Sequence, residues 1–320
     1  MPNLLAHNLV VKRFYLKEDE QDLSPLDSFI RGNYDFLSLG AQGPDPFFYV
    51  GILPFHGLHL LTASKKLGNQ LHEGDAKKFF KAMIDRCYGM ENDRDRLRFE
   101  AFIFGQLAHY LLDREAHPYI LYESGFDKDG KISGKYHYQH ANFESNIDYC
   151  LAKKFKMNYF LSNPADVLCQ DKSFLAILDS EMVPVLEGLF RCRLPKHFYS
   201  NSIINMHSVI GYVNHHPKAK KKLLPKRLMG LAMPTEGPLD YPDCLNEKKD
   251  IWLDPLTGAK HADSFLEIHS RAFELLDSCY QDILKNGFHY EVISKYLNGL
   301  SYYGTPVGAK WTYQKNPVAA

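Results

Sequence analysis

The stretch "DRDRLRFEAFIFGQLAHYLLDREA", residues 93–116, constrains the fold more than any other. Apolar residues recur at Leu97, Phe99, Ile103, Leu107 and Leu111, the period of a helix, after acidic residues suited to a first turn. On that helix Gly105, His109 and Asp113 fall four apart and share one stripe. Their neighbours Phe104, Leu107, Tyr110, Leu111 and Leu112 are apolar, so the spacing predicts a polar stripe that faces inward. A buried carboxylate is costly unless something pairs with it. Gly105, one turn before His109, leaves room for a close neighbour. His117 follows, and Pro118 directly after it predicts that the helix ends there.

Helical periodicity continues elsewhere. Residues 74–89 read as a helix, 171–190 as a helix kinked at Pro184, and 201–217 as a helix stopped by Pro217. Residues 261–287 close on Asn286-Gly287, a C-terminal stop signal. In "HANFESNID", His140 and Glu144 are again four apart, on a helix that runs towards Lys154. Strand alternation is scarce. Residues 125–138 read as a loop or small hairpin, and 214–262, rich in Pro, Gly and Lys, as long surface loops. The expected class is all-α, one multi-helix domain spanning 1–320, and 45% hydrophobic residues supply an ample core.

Charge narrows the partners. Lys and Arg total 38 and Asp and Glu total 38, so no basic excess marks a stable nucleic-acid partner. No apolar run reaches the roughly 18–20 residues of a membrane span, and the first twenty residues lack the pattern of a secretory signal. The six cysteines show no C-x-x-C spacing. The expectation is a cytoplasmic protein with reduced thiols, export by another route remaining open. The basic run 218–227, "KAKKKLLPKR", is either a solvated loop or a peripheral contact to anionic lipid head groups. Fifteen histidines raise the question of a metal. Two His-x-x-x-carboxylate pairs are no more than such a composition gives by chance, so spacing alone decides nothing.

"GAQGPDPFFY", residues 40–49, adds an acid held in stiff chain. Asp45 stands between two prolines, which favour extended backbone before them, and three aromatics follow. Taken in order, His7, Asp45, His72, His109 with Asp113, His117, and His140 with Glu144 form a series. With "LGAQGPDPFF" and "LAHYLLDREAHPYI", this series resembles the bacterial zinc-dependent phospholipase C family, whose all-α fold is shared with single-strand-specific zinc nucleases. The resemblance is specific over about residues 7–148. Beyond them it is general, touching "IWLDP" (251–255) and the helix after His261.

The resemblance implies two or three zinc ions. Asp45, His72, His109 and Asp113 would hold the first. His117, His140 and Glu144 would hold the second. His7 and a bridging Asp113 would hold the third, with the N-terminal amine and carbonyl. Imidazole and carboxylate suit zinc, which brings the pKa of water to about 7 and clamps the oxygens of an in-line displacement. The implied activity is hydrolysis of a phospholipid or other phosphodiester, activated water attacking phosphorus. Asp45 would be a ligand and the base that takes the water proton; its prolines would fix it, and aromatics 47–49 would wall the pocket. A nuclease or nucleotidase on the same cluster and a non-catalytic zinc- or lipid-binding protein are the alternatives. The chain departs from the family pattern in places. Pro2 would have to present the amine after loss of Met1, and Asp113 and His117 are only four residues apart, with His137 as a substitute. Pro46 stands where the phospholipases carry a head-group tyrosine. His56 and His59 compete with His72.

Overall fold

The computed structural model describes residues 4–20, 29–50, 61–215, 230–234, 237 and 240–315. Its architecture is all-α. In chain order the helices are α1 (Leu4–Glu20), α2 (Tyr34–Gly40), a 3₁₀ turn at Asp45–Tyr49, α3 (Leu61–Glu73), α4 (Ala76–Tyr88), α5 (Asp93–Ser124) and α6 (Lys135–Lys154). There follow α7 (Asn158–Ser162), a 3₁₀ turn at Pro164–Val167, α8 (Lys172–Phe190), α9 (Phe198–Asn214), α10 (Phe265–Asn286) and α11 (Tyr290–Ile293). Two short antiparallel strands, Trp252–Leu253 and Lys260–His261, form the one sheet among the described residues. No described helix is long and apolar enough to cross a membrane.

The helix ends follow side-chain chemistry. Asn92 caps α5 by accepting from the Asp95 amide at 3.0 Å, and Asp75 caps α4. Ser264 and Glu267 form a reciprocal capping box at the start of α10, and Gly125 and Gly287 follow α5 and α10.

Helix α5 is the centre. It packs against α1, α2, α4, α6 and α10. Every residue from Phe99 to Arg114 is buried, so this stretch of the helix has no outward face, and the inward stripe expected for Gly105, His109 and Asp113 is part of a segment enclosed all round. The neighbour for which Gly105 leaves room is the backbone of α2: a Cβ there would lie 2.2 Å from the Leu37 carbonyl oxygen. A Cβ on Gly40 would lie 2.2 Å from the Phe102 oxygen, so the two helices touch backbone to backbone.

Several expectations need correction. Helix α5 does not stop at Pro118 but continues to Ser124. A proline removes a single amide donor, the one that would reach Arg114, and Gly304 packs so near the freed carbonyl oxygen of Arg114 that a Cβ there would be 2.3 Å away. Helix α9 ends at Asn214, capped by His215, before Pro217, which lies outside the described residues with the basic run 218–227. The stretch after Pro44 is not extended. It is a 3₁₀ turn, because a proline's fixed φ fits the first positions of a helix, where its missing donor costs nothing. Residues 240–262 are not all surface: Cys244, Leu245, Asn246 and Trp252 are buried. Residues 125–134 form a loop leading into α6.

Candidate metal centre

The eight singled-out side chains converge from five parts of the chain: His7 from α1, Asp45 from the 3₁₀ turn, His72 from the end of α3, His109, Asp113 and His117 from α5, and His140 and Glu144 from α6. All are buried, His140 being the most exposed at 6%. Their ligand atoms fall into overlapping groups: His7, Asp45 and His109; His72, His109 and Asp113; and His117, His140 and Glu144. Within each group the atoms lie within 4.8 Å of one another. His56, His59 and Pro2 lie outside the described residues. His137 is in α6 and is absent from these groups.

Hydrogen bonds orient the imidazoles. His72 Nδ1 lies 2.8 Å from the Gly68 carbonyl oxygen and His109 Nδ1 lies 3.0 Å from that of Ala41. His117 Nδ1 reaches the carbonyl oxygens of Tyr302 at 2.9 Å and Asp113 at 3.0 Å. A carbonyl oxygen can only accept, so Nδ1 carries the proton in each ring and Nε2 keeps its lone pair. His140 Nδ1 is 3.3 Å from Ser124 Oγ, whose own proton goes to the Ile120 oxygen at 2.7 Å, so His140 follows the same pattern. Metal-binding histidines are held by this arrangement, one nitrogen anchored and the other aimed inward.

The inward atoms meet carboxylates. Asp113 is central: Oδ1 is 3.3 Å from His7 Nε2 and Oδ2 is 3.1 Å from His109 Nε2. Asp45 Oδ1 is 3.1 Å from His72 Nε2 and 3.7 Å from His109 Nε2, and Glu144 Oε1 is 3.0 Å from His140 Nε2. Gly43 makes the approach of the Asp45 turn possible. Its φ is +55°, and a Cβ would strike the His109 ring at 2.3 Å.

Electrostatics set the charge state. Burial lowers the pKa of His7 and of His140 and pushes His117 down to about 3, so these rings are neutral at neutral pH. For His109 burial also pulls downward, but the carboxylates of Asp113 and Asp45 outweigh it and the shift is upward. Burial would raise Asp113 and Glu144, yet the imidazoles of His109 and His117 hold Asp113 well below the usual carboxylate range. The His140 ring takes Glu144 down to about 2. The carboxylates are therefore ionised and buried. Both oxygens of Asp113, His109 Nε2 and His117 Nε2 have no hydrogen-bond partner among the described residues. A cation between them would pair the lone pairs and the ionised carboxylates that face one another in this dry interior. Neutral imidazole and carboxylate donors at such spacing suit zinc, which takes nitrogen and oxygen ligands at about 2.0–2.2 Å.

The sequence model of the zinc-dependent phospholipase C family matches residues 4–189. The chain belongs to this family. The match takes in all eight side chains of the centre and α1 to α8 almost entire. No curated protein and no solved structure was found to match the chain. Family membership and the donor set agree on a zinc-dependent, phospholipase C-like hydrolase.

The aromatics after Asp45 divide. Phe48 lies against His72, ring centroids 5.3 Å apart, as a wall residue would. Phe47 instead packs on Phe198 and Tyr199 in the core, because successive side chains of a 3₁₀ turn point in different directions. His261 stacks on Trp252 at 4.4 Å. The supports of the centre were not visible in the sequence: Gly68, Ala41 and Tyr302 act through backbone carbonyls, which carry no residue signature. Tyr302 and Tyr303, whose rings lie 5.2 Å from His72 and 4.9 Å from His117, had a weak signal as paired aromatics beside a glycine.

Proposed function

We propose that this member of the zinc-dependent phospholipase C family hydrolyses the phosphodiester of a phospholipid-like substrate with two or three zinc ions. Asp45, His72, His109 and Asp113 would hold the first ion, His117, His140 and Glu144 the second, and His7 with Asp113 the third. The observation that carries the reading is the convergence of ionised, buried carboxylates on imidazole lone pairs whose opposite nitrogens are anchored. When bound, zinc supplies Lewis-acid polarisation of the phosphoryl oxygen and makes water acidic enough to attack near neutral pH. The chain's own residues do the rest. Asp45 takes the proton of the attacking water on a carboxylate oxygen, and its turn is fixed by Pro44, Pro46 and the fit of Gly43 against His109. Phe48 and Tyr303 line the approach beside His72 and His117 and restrict bulk water there.

The same reading takes residues 1–320 as one domain. Helix α10 packs along α5 and Tyr302 holds His117, although both lie beyond the matched segment, which supports the two parts folding together.

Zinc content by inductively coupled plasma mass spectrometry, followed by turnover of phosphatidylcholine and of single-stranded DNA, tests the reading. Two or three zincs per chain, phospholipid cleavage, and its loss by at least about 100-fold in Asp45→Asn are expected. Zinc without turnover of either substrate points to a binding protein, and cleavage of DNA alone to a nuclease. Unimpaired turnover in Asp45→Asn removes Asp45 from the mechanism.

A further inference from the structure

His7 differs from the other four imidazoles of the centre. Neither of its ring nitrogens has a hydrogen-bond partner among the described residues, whereas the others are each anchored through Nδ1. What aims His7 must therefore act through its backbone and its ring faces. One face stacks on His109, centroids 3.9 Å apart. The backbone is gripped from two directions just before His7.

The first grip comes from α6. Both grips fall on the first described turn of α1, which runs from Leu4. The Leu5 amide donates to Asp148 Oδ2 and the Ala6 amide to Asp148 Oδ1, each at 2.9 Å. Asp148 is fully buried, and burial pushes its carboxyl up to about 8 although the two amides pull the other way. It lies four residues after Glu144 and eight after His140, so one stripe of α6 bears two proposed ligands and this clamp. The second grip comes from α10. His269 Nδ1 accepts from the Arg13 guanidinium at 3.2 Å, since a guanidinium only donates. The His269 proton is then on Nε2, which donates to the Ala6 carbonyl oxygen at 3.3 Å. That carbonyl belongs to the peptide that joins Ala6 to His7. The N–H and the C=O of Ala6 are thus fixed by two different helices, and His7 follows directly.

We propose that Asp148 and His269 are positioning residues that hold the first turn of α1 so that His7 presents Nε2 to Asp113 and the ion between them. The inference rests on the reading of His7 as a zinc ligand. Neither residue touches substrate; each acts through the Leu5–His7 backbone.

The test is zinc stoichiometry and affinity, by competition with a chromogenic chelator, in the full chain and in Asp148→Asn, His269→Leu and His269→Gln. Asp148→Asn keeps the volume but leaves a single acceptor, and is expected to weaken the least tightly held zinc by about 10–100-fold, the usual cost of losing an outer support. His269→Leu does the same. His269→Gln keeps an N–H donor and stays within about 3-fold of the parent. Asp148→Asn and His269→Leu with the parent's zinc count and affinity overturn the proposal, whatever happens to their melting temperatures. If Asp148→Asn does not fold, the Leu and Gln pair at position 269 decides. A parent chain that binds no zinc at all overturns the ligand reading, and the clamp with it.

Discussion

His7 and His109 stack face to face, centroids 3.9 Å apart and ring planes 19° from parallel, although different helices carry them. Each ring directs Nε2 at a different oxygen of Asp113, at 3.3 Å and 3.1 Å. Two imidazolium ions could not sit so close in a dry interior, where like charges repel strongly. The stack therefore needs at least one neutral ring, and the negative charge of Asp113 is left for a cation to balance. The following outcomes depend on that arrangement.

Removing zinc should destabilise the fold, not merely silence it. Chelation leaves the carboxylates of Asp45, Asp113 and Glu144 buried, and an ion held by the native state alone adds several kcal/mol. A fall in melting temperature on the order of 10 °C, reversed by added zinc, is expected by differential scanning calorimetry. An unchanged transition in protein shown to be zinc-free would contradict this account of the centre.

Ser124 should matter for metal, not for folding. It accepts from His140 Nδ1 at 3.3 Å and so fixes which nitrogen faces Glu144. Ser124→Ala should weaken zinc held by His117, His140 and Glu144 by about 10-fold, measured by chelator competition, with the helix signal in circular dichroism unchanged. Parent-like affinity would show that the bond to Ser124 does not set the ring.

Glu100 should make stability depend on pH. Burial pushes its carboxyl up to about 7, with Arg96 at 3.5 Å offsetting only part. The unfolded chain loses the proton near pH 4.3, the folded protein near 7, so the folded state binds the extra proton between these values and stability falls as pH rises through them. Glu100→Gln removes the penalty. Urea unfolding should find the variant gaining about 1–3 kcal/mol on the parent between pH 5 and pH 8. A gap that does not change with pH would mean that Glu100 is ionised throughout.

The contact between α2 and α5 should tolerate nothing larger than hydrogen. Gly105→Ala puts a Cβ 2.2 Å from the Leu37 oxygen, and a loss at or above the upper end of about 1–3 kcal/mol is expected from chemical denaturation. Gly188→Ala in α8, where nothing lies within 4 Å, should instead stabilise by about 0.5–1 kcal/mol. Equal effects at both positions would refute the close crossing.

Much of the centre was legible because its side chains obey helix arithmetic. Gly105, His109 and Asp113 share a stripe, as do His140 and Glu144, and the structure brings each pair to the same place. Asp45 could be placed in the series only by resemblance, and its turn was misread because the preference of residues before proline for extended backbone yielded to proline's fit at a helix start. The continuation of α5 past Pro118 was hidden for a related reason: a proline forbids one hydrogen bond, and whether a helix survives depends on what packs there. The supports at Gly68, Ala41 and Tyr302 were beyond reach, since a backbone carbonyl is the same in every residue.

The bond from His117 Nδ1 to the Tyr302 carbonyl spans 185 positions of sequence. During synthesis the ribosome releases His7, His109, His117 and Glu144 long before it adds Tyr302. A nascent chain can assemble α1, α5 and α6 early, yet the ring of His117 gains this tether only when the last stretch has docked. The orientation of a ring in α5 is thereby completed by a residue far downstream, and a chain cut short before Tyr302 would lack this anchor on His117.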